Sequence, residues 1–571
     1  MPGKPRFQLR AIGIPLLSLL LLLLSACGPS GTPATTSTPS SQPVQGGTWI
    51  DDMPATPTSL IPEGAGTVYA NVLQQCLYAP LLMGDTQGKI HAGLLTDVPS
   101  LTNGGISADF KTFVFHMRPN LKWSDGQPEN ADDIDYTWKL INNPDYGAQL
   151  TSGFDHIKSA DVSADKLTIT FHLTSAYSPF IPVWVDALSS PLPQHHFGSM
   201  KPGDILKSPE NLNPKVVSGP FQMSDSNPGH QFTMVPNPNY YRANENGQKL
   251  PHISKLVWNV GVAADTILKD VQAGSITSSW FLDPTKLPTY QKIQGYNLVN
   301  PAAGGFEGLF FNLKQPALKD VNVRKAIVMA IDRKALHDRI KPGIGNVLCL
   351  DVPNTFTVGY EADAPCPTFD VAAANKLLDD NGWVKGTDGT RAKGGVKLEV
   401  PLSTSSNYAW RVNSVLFIQQ QLQAIGVKAN IINYPSSTFF SQILPQGDPA
   451  KYGISEFGFD LGYDPDDSSL LSCSQIPSQA NNFGGSNYSF YCNKNLDPLL
   501  DKQLAIADPT QREALFKQIH QILLTDLPYI GLFDSAHPAI VKKGTHNYVP
   551  GPMGGEEAIQ VYDWWCDGGK C

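Results

Sequence analysis

The sequence predicts an α/β protein with largely parallel sheets, and two observations carry that reading. In the second half of the chain, stretches with helical spacing (Val323–Ile340, Val371–Leu378, Trp410–Ile425, Leu496–Leu524) alternate with strand-like runs (Val396–Leu402, Val427–Tyr434). Such alternation is the signature of strands connected through helices into layers. The chain also has 571 residues, enough for two or three domains, and its 47 Pro and 49 Gly mark many turns between the elements.

Taken in order, the chain opens on Lys4, Arg6 and Arg10, then a Leu-rich run over Ala11–Leu24, then Ser25, Ala26 and Cys27. The run is shorter than the ~20 residues that span a bilayer and suits a secretory signal peptide over 1–26. Residues 28–47 are Ser, Thr, Pro and Gly with almost no large apolar side chain. Such a segment cannot offset its ordering entropy, so 27–47 reads as a tether. The folded body starts near Thr48, with a first strand through Trp49 and Ile50. Thr67–Leu82 has helical spacing. Phe113 and Phe115 alternate with Val114 and His116 on a strand, Asn130 caps a helix carrying Ile134, Trp138 and Ile141, and Lys166–Leu173 alternates again.

Composition excludes some classes. The formal net charge is −9, and the leader removes only positive charge, so the remainder is more acidic still. No Lys/Arg run offers the basic face that nucleic-acid binding requires. Of the eight cysteines, Cys349 and Cys366, Cys473 and Cys492, and Cys566 and Cys571 enclose turn-rich loops and read as three local disulfides of an exported protein. Each closed loop would add ~3 kcal/mol in the chain-entropy account. Cys76 is left as a buried free thiol. No pair has CxxC spacing with interleaved histidines, so no metal or cofactor is expected. No GxSxG, HExxH or GxxxxGK[ST] motif occurs, which argues against an enzyme. Asp132 and Asp133 sit at a helix start, where the dipole accounts for them.

The leader ending in Leu24–Cys27 resembles the lipobox of bacterial lipoproteins, which implies a lipid on Cys27. Phe113–Pro128 followed by Ala131–Thr137 resembles the "FhLRpgvkfsDGtPltAeDV" block of the family 5 solute-binding proteins of ABC importers. The likeness continues in family order: Val217–Phe221 with "GTGPY", Val235–Tyr241 with "NpdYw", and Phe310–Leu313 plus Val323–Arg333 with the "VRqAl.yaiDr" region. Asn381–Trp383 and Leu416–Val427 resemble the last two blocks. His195 and His196 match the family's structural "lPkh" stretch. The resemblance covers residues 48–540. It implies a two-lobed periplasmic-binding-protein-like fold of type II with an enlarged first lobe and a ligand cleft between the lobes. The first lobe would be 48–303 with the tail 535–571, and the second 304–534, the crossings falling near Val299–Leu309 and Gly531–Ala539.

Three stretches are candidate cleft residues. Glu456–Asp467 resembles the family's "W.aDypDP" segment, in which an aspartate pairs with a peptide's α-ammonium, a charge-assisted bond. Asp464 with Pro465 matches the "DP" and Tyr463 precedes it. The amine-binding position falls on Leu461, and Asp460 serves if the loop is one residue longer. An acidic turn, or a helix cap at Asp466–Ser468, is the structural alternative. Ser403–Arg411 lies at the carboxyl end of a strand, where α/β ligands sit. Asn407, Trp410 and Arg411 are its candidates, with Arg411 matching the arginine that pairs with a ligand carboxylate. Helix capping by Asn407 and core packing by Trp410 are the alternative. Ser218 and Gly219 with Trp49 form the third, a close backbone approach allowed by glycine or a plain turn. The resemblance thus implies a lipid-anchored, monomeric receptor on the outer face of the cytoplasmic membrane. It would capture an oligopeptide and deliver it to a permease driven by a separate ATPase, and Asp464→Ala would weaken that capture. An oligosaccharide or other polar solute, a secreted hydrolase and a signalling lipoprotein are the alternatives.

Overall fold

The computed structural model describes residues 42–571 apart from 65–66, 149–150, 186, 482 and 507. The leader, Cys27 and the tether as far as residue 41 lie outside the described residues. The end of the predicted tether is already bound to the body. The Gln45 side chain donates to the Lys249 carbonyl (2.7 Å), and the Gly46 amide donates to the His252 carbonyl (2.9 Å).

Two sheets dominate. A seven-stranded sheet holds Thr48–Met53 between Lys255–Val260 and Ser278–Ser279, both parallel to it, with Gln231–Pro236 and Phe221–Asn227 beyond one side and Ala539–Lys542 and Tyr296–Val299 beyond the other. A five-stranded sheet runs in the order Lys428–Ile431, Glu399–Thr404, Ile454–Asp460, Gly305–Phe311, Tyr529–Asp534. A three-stranded antiparallel sheet (Thr112–His116, Thr168–Leu173, Ile157–Val162) stands apart. The chain leaves the seven-stranded sheet at Val299 and enters the five-stranded one at Gly305. It returns between Asp534 and Ala539.

The sheets are mixed rather than largely parallel. Some parallel pairs are joined through a helix, such as Glu399–Thr404 with Lys428–Ile431 across helix Ala409–Gln423. Antiparallel pairs arise where a hairpin reverses the chain, as at Asn227–Gln231, and where the chain crosses between sheets: Gly305–Phe311 is antiparallel to both neighbours.

The helices follow their local signals, with one break. Asn130 and Asp133 form a capping box for Ala131–Ile141. The predicted helix Val323–Ile340 is two, Val321–Ala330 and Arg333–Ile340, because Ile331 is extended and the Asp332 side chain accepts the Ala335 amide to start a new helix. Each large sheet carries its own core. Trp49, Trp258 and Trp564 pack beneath the first, and Ile327, Trp410, Leu422 and Phe533 on one face of the second, whose other face holds Phe306, Phe310 and Phe457. Among the described residues no helix is long and apolar enough to cross a membrane.

Gly219 is placed by packing. A Cβ there would lie 2.5 Å from the Leu77 carbonyl carbon, at the end of helix Val68–Leu77. Gly219→Val should therefore cost about 2 kcal/mol of stability through overpacking, read as a lower urea midpoint. An unchanged midpoint would mean the two segments can separate freely.

Candidate functional site

The site is built around strand Ile454–Asp460. Its register puts Asp460 opposite Gly305 and Gly458 opposite Glu307 on one side, and Glu456 beside Thr404 on the other. Because side chains alternate along a strand, Glu307, Glu456 and Asp460 share one face. Gly458 carries no side chain, and the Glu307 carboxylate occupies that space. A Cβ at Gly458 would meet Glu307 Oε1 at 2.6 Å and Arg411 Nη2 at 2.8 Å.

Arg411 comes from the first turn of helix Ala409–Gln423. It donates from Nη2 to Glu307 Oε1 (2.7 Å) and from Nη1 to Ser405 Oγ (3.3 Å), with Tyr408 and Trp410 against its guanidinium. The pair is buried, and so is Lys341, whose ammonium donates to the Asp534 carbonyl (2.8 Å). Burial holds the Lys341 pKa below the usual lysine range. Burial, with the Glu307 charge adding, pushes Glu456 up to about 8. The Thr404 hydroxyl donates to Glu456 Oε2 at 2.7 Å. His537 is held well below its ordinary value by burial and then by the positive charges of Lys341 and Arg411.

Asp460 ends the strand and differs from its neighbours. It faces a small cavity of about 10 Å³ lined by Trp280, Ser535, His537 and Gly551–Gly554. Its surface is reachable by water although protein surrounds it. Desolvation, with Glu307 next, pushes its pKa up to about 6 against the Gly554 amide bond and the Arg411 charge. It forms no ion pair among the described residues. The Trp280 indole N–H is buried with no acceptor among the described residues. The cavity therefore offers a carboxylate and an unused donor, the chemistry for a cationic or amine-bearing solute.

The remaining sequence candidates lie elsewhere. Asp464 is committed to Arg512 of helix Pro509–Asp526 by two bonds (2.6 and 2.5 Å), and Arg512 also donates to Gln503. Tyr463 donates to Glu556 and abuts Gly84. Trp410 is buried in the core of the five-stranded sheet, and Arg411 is paired with Glu307, while its Nε has no acceptor among the described residues. Asn407 accepts the Ser436 amide (2.7 Å) in an exposed loop. Ser218 accepts the Ala79 amide (3.0 Å) and is buried. Trp49 is fully buried, stacked on Tyr548 and Trp564 and donating to Ser278 Oγ (2.7 Å). The turn at Asp466–Asp467 has the Asp466 carboxylate accepting the Ser468 amide. Cys349–Cys366, Cys473–Cys492 and Cys566–Cys571 are bonded, with Cα separations of 6.0, 4.7 and 5.3 Å, and Cys76 is a buried thiol. Among the described residues no group of His, Cys, Asp and Glu could hold a metal ion.

Glu307, Trp280, His537 and the Gly551–Gly554 loop were not singled out from sequence. Only the Gly/Pro-rich run Pro550–Gly555 carries a visible signal of close backbone approach.

Two α/β bodies that exchange the chain twice, with a polar cavity beside the exchange, define the class of two-lobed solute-binding proteins. Solved structures share this fold. The oligopeptide-binding protein AppA of Bacillus subtilis, solved with a nonapeptide, superposes with a TM-score of 0.78 at 23% identity, over 92% of this chain and 100% of that one. NikZ of Campylobacter jejuni, solved with Ni(L-His), gives 0.78 at 20% identity over 91% and 99%. By sequence, AppA is 24% identical over 97% of this chain and 99% of its own length, and the dipeptide-binding protein of Escherichia coli 26% over 79% and 83%. The signature "Bacterial extracellular solute-binding proteins, family 5 Middle" matches residues 90–478. The chain belongs to the family 5 extracellular solute-binding proteins, which are substrate receptors and not enzymes.

Removing Asp464 should leave Arg512 unpaired and cost about 3 kcal/mol of stability, seen by chemical denaturation, while solute affinity of the folded protein stays within threefold of the parent. A loss of affinity without a loss of stability would return Asp464 to the solute site.

Proposed function

We propose that this chain is the receptor of an ABC importer that captures a short peptide between its lobes and hands it to a membrane permease, with ATP hydrolysed by a separate subunit. The carrying observation is Asp460: of the charged side chains gathered on strand Ile454–Asp460 and its neighbours, its carboxylate alone faces the cavity without a cationic partner. A peptide α-ammonium fits there, with an acceptor for the Trp280 N–H alongside. The names of AppA and the dipeptide-binding protein support peptide as the solute. In this reading the lobes are 48–303 with 535–571, and 304–534, and the protein acts as a monomer. Cys27 carries the lipid, which holds the receptor on the outer face of the cytoplasmic membrane while the Ser/Thr/Pro tether lets it close and dock. A single acyl chain anchors reversibly, so a diacylated cysteine suits the role. The commitment of Arg411 to Glu307 favours one second reading, a non-peptide amine gripped only at its cationic end.

Solute released from the purified protein and identified by mass spectrometry provides the ligand for calorimetry. Asp460 loses charge as pH falls through about 6, so a neutral carboxyl replaces the partner of an ammonium. Affinity should rise from pH 5 to pH 7 and then level off. Asp460→Asn should weaken binding about tenfold to a hundredfold, as loss of a charge-assisted bond does, and flatten that pH profile. An unchanged affinity in Asp460→Asn would overturn the assignment. Separately, Cys27→Ser should abolish incorporation of labelled fatty acid and release the protein from membranes. Continued labelling would refute the anchor.

A further inference from the structure

The space beside Asp460 is narrow. At about 10 Å³ it has room for about one water molecule. A solute group reaches the carboxylate only if one wall moves. Part of that wall is the tail segment Pro552–Gly554. Whatever holds this segment in place therefore controls access to Asp460.

The hold comes from a long loop of the other segment. Residues 349–366 contain no helix or strand, and a stretch this long without regular structure inside a compact body usually has a function. Its base is fixed. The Cys349–Cys366 disulfide closes it. Arg333 donates to the Leu348 and Pro367 carbonyls, just outside the two cysteines, at 2.8 Å each. The Gly531 amide donates to the Cys349 carbonyl (3.0 Å), the Gly359 amide to Glu513 (2.8 Å) and the Tyr529 hydroxyl to Asp351. All of these anchors lie between residues 304 and 534.

The tip of the loop crosses to the tail. Val352 and Phe356 join Leu461 and Met553 in a buried cluster of their own, apart from both large cores. Three of these residues belong to 304–534, and Met553 alone comes from the tail. Thr355, at the same tip, meets the tail at Gly88: a Cβ there would lie 3.6 Å from Pro552, 3.7 Å from Met553 and 3.8 Å from Thr355. Met553 thus lines the Asp460 cavity and is gripped by the loop as well. Leu461, one residue after Asp460, is part of the grip. Moving the tail segment aside would draw Met553 out of this apolar nest and expose Val352, Phe356 and Leu461 to water, at a cost that grows with the area uncovered.

We propose that residues 350–365 form a strap that grips Met553 across the cleft and so gates the site at Asp460. This rests on the receptor and lobe reading above and adds the element that sets how long a captured solute stays. The base of the strap keeps its anchors throughout. Its tip releases Met553 when the two segments separate and takes it up again when they close.

Phe356→Ala and Met553→Ala remove the grip from its two sides and leave Asp460 in place. Two measurements on the full chain need no solute. Peroxide oxidation of the methionines, followed by mass spectrometry, should reach Met553 of the parent more slowly than the half-buried Met223. Phe356→Ala should speed oxidation of Met553 about tenfold, as loss of a buried apolar contact does, and leave Met234 of the first core unchanged. In small-angle scattering the double variant should have a radius of gyration about 1 Å above the parent's, against roughly 25 Å for a compact chain of this length. A parental rate at Met553 in Phe356→Ala, or a parental radius in the double variant, overturns the strap whether or not any peptide binds. In a third measurement Ala-Ala-Ala is the probe and stopped-flow tryptophan fluorescence follows it. Each single variant should release it about tenfold faster with association within about threefold of the parent, and the two effects should not add in the double variant, because both remove one contact. Unchanged or additive release rates overturn the strap as a gate. Opening in the variants with no binding of Ala-Ala-Ala supports the strap and counts against the peptide reading alone.

Discussion

The Glu307–Arg411 ion pair lies across strand Ile454–Asp460 at the one point where that strand has no side chain, Gly458. The charges of this pair add to what burial does to the groups around it. A buried charge without a partner costs several kcal/mol, and pairing recovers that cost only when the geometry is good. Here the guanidinium is held on one side by Glu307 and Ser405 and sandwiched by the rings of Tyr408 and Trp410. The Glu307 carboxylate then acts on its surroundings. Burial comes first for each neighbour; the Glu307 charge adds to it at Glu456 and Asp460, and Lys341 and Arg411 add to it at His537. Among the carboxylates of this strand, Asp460 is the one that lines the cavity.

The first sheet uses the same device without an accessible member. Asp51 and Glu557 are both buried and share a site. Burial raises both, Glu557 to about 7, and Ser278 Oγ donates to the Asp51 carboxyl at 2.5 Å. Tyr548 donates to Glu557 at 2.7 Å, and the same tyrosine stacks on Trp49. Like charges this close cannot both ionise. The pair, with Tyr548 and Ser278 bonded to its two members, places the first strand against the C-terminal tail. This explains why the tail after Lys542, which forms little regular structure, is nonetheless part of the first sheet's core and can present Gly551–Gly554 to the cavity.

Local elements were legible where the signal was local. The Asn130–Asp133 cap, the alternation at Phe113 and Phe115 and the three cysteine pairs all depend on residues close in the chain. The ordered motifs carried the family for the same reason, since each is a contiguous block. Strand direction was less legible: alternation of helix and strand predicts parallel neighbours, but the crossing strand Gly305–Phe311 enters from the other sheet and runs against both of its partners. At the site, Asp464, Trp410 and Trp49 have the residue types of a ligand site, yet each is consumed inside the protein by a partner distant in sequence: Arg512, the second-sheet core, and Tyr548 with Trp564. No pattern within a short window reports such a partner.

The amino-acid sequence by itself determined the family, the cysteine pairing and the presence of an acidic, aromatic segment at Glu456–Asp467. These follow from contiguous residue types and their spacing. Only the tertiary structure decided which aspartate faces the cavity. Asp460 and Asp464 are four positions apart and chemically identical. One ends a strand at an open cavity beside Gly554, and the other meets a guanidinium brought by a helix far along the chain. Whether a carboxylate is free to bind depends on what is packed against it, and packing is a property of the folded chain rather than of its order.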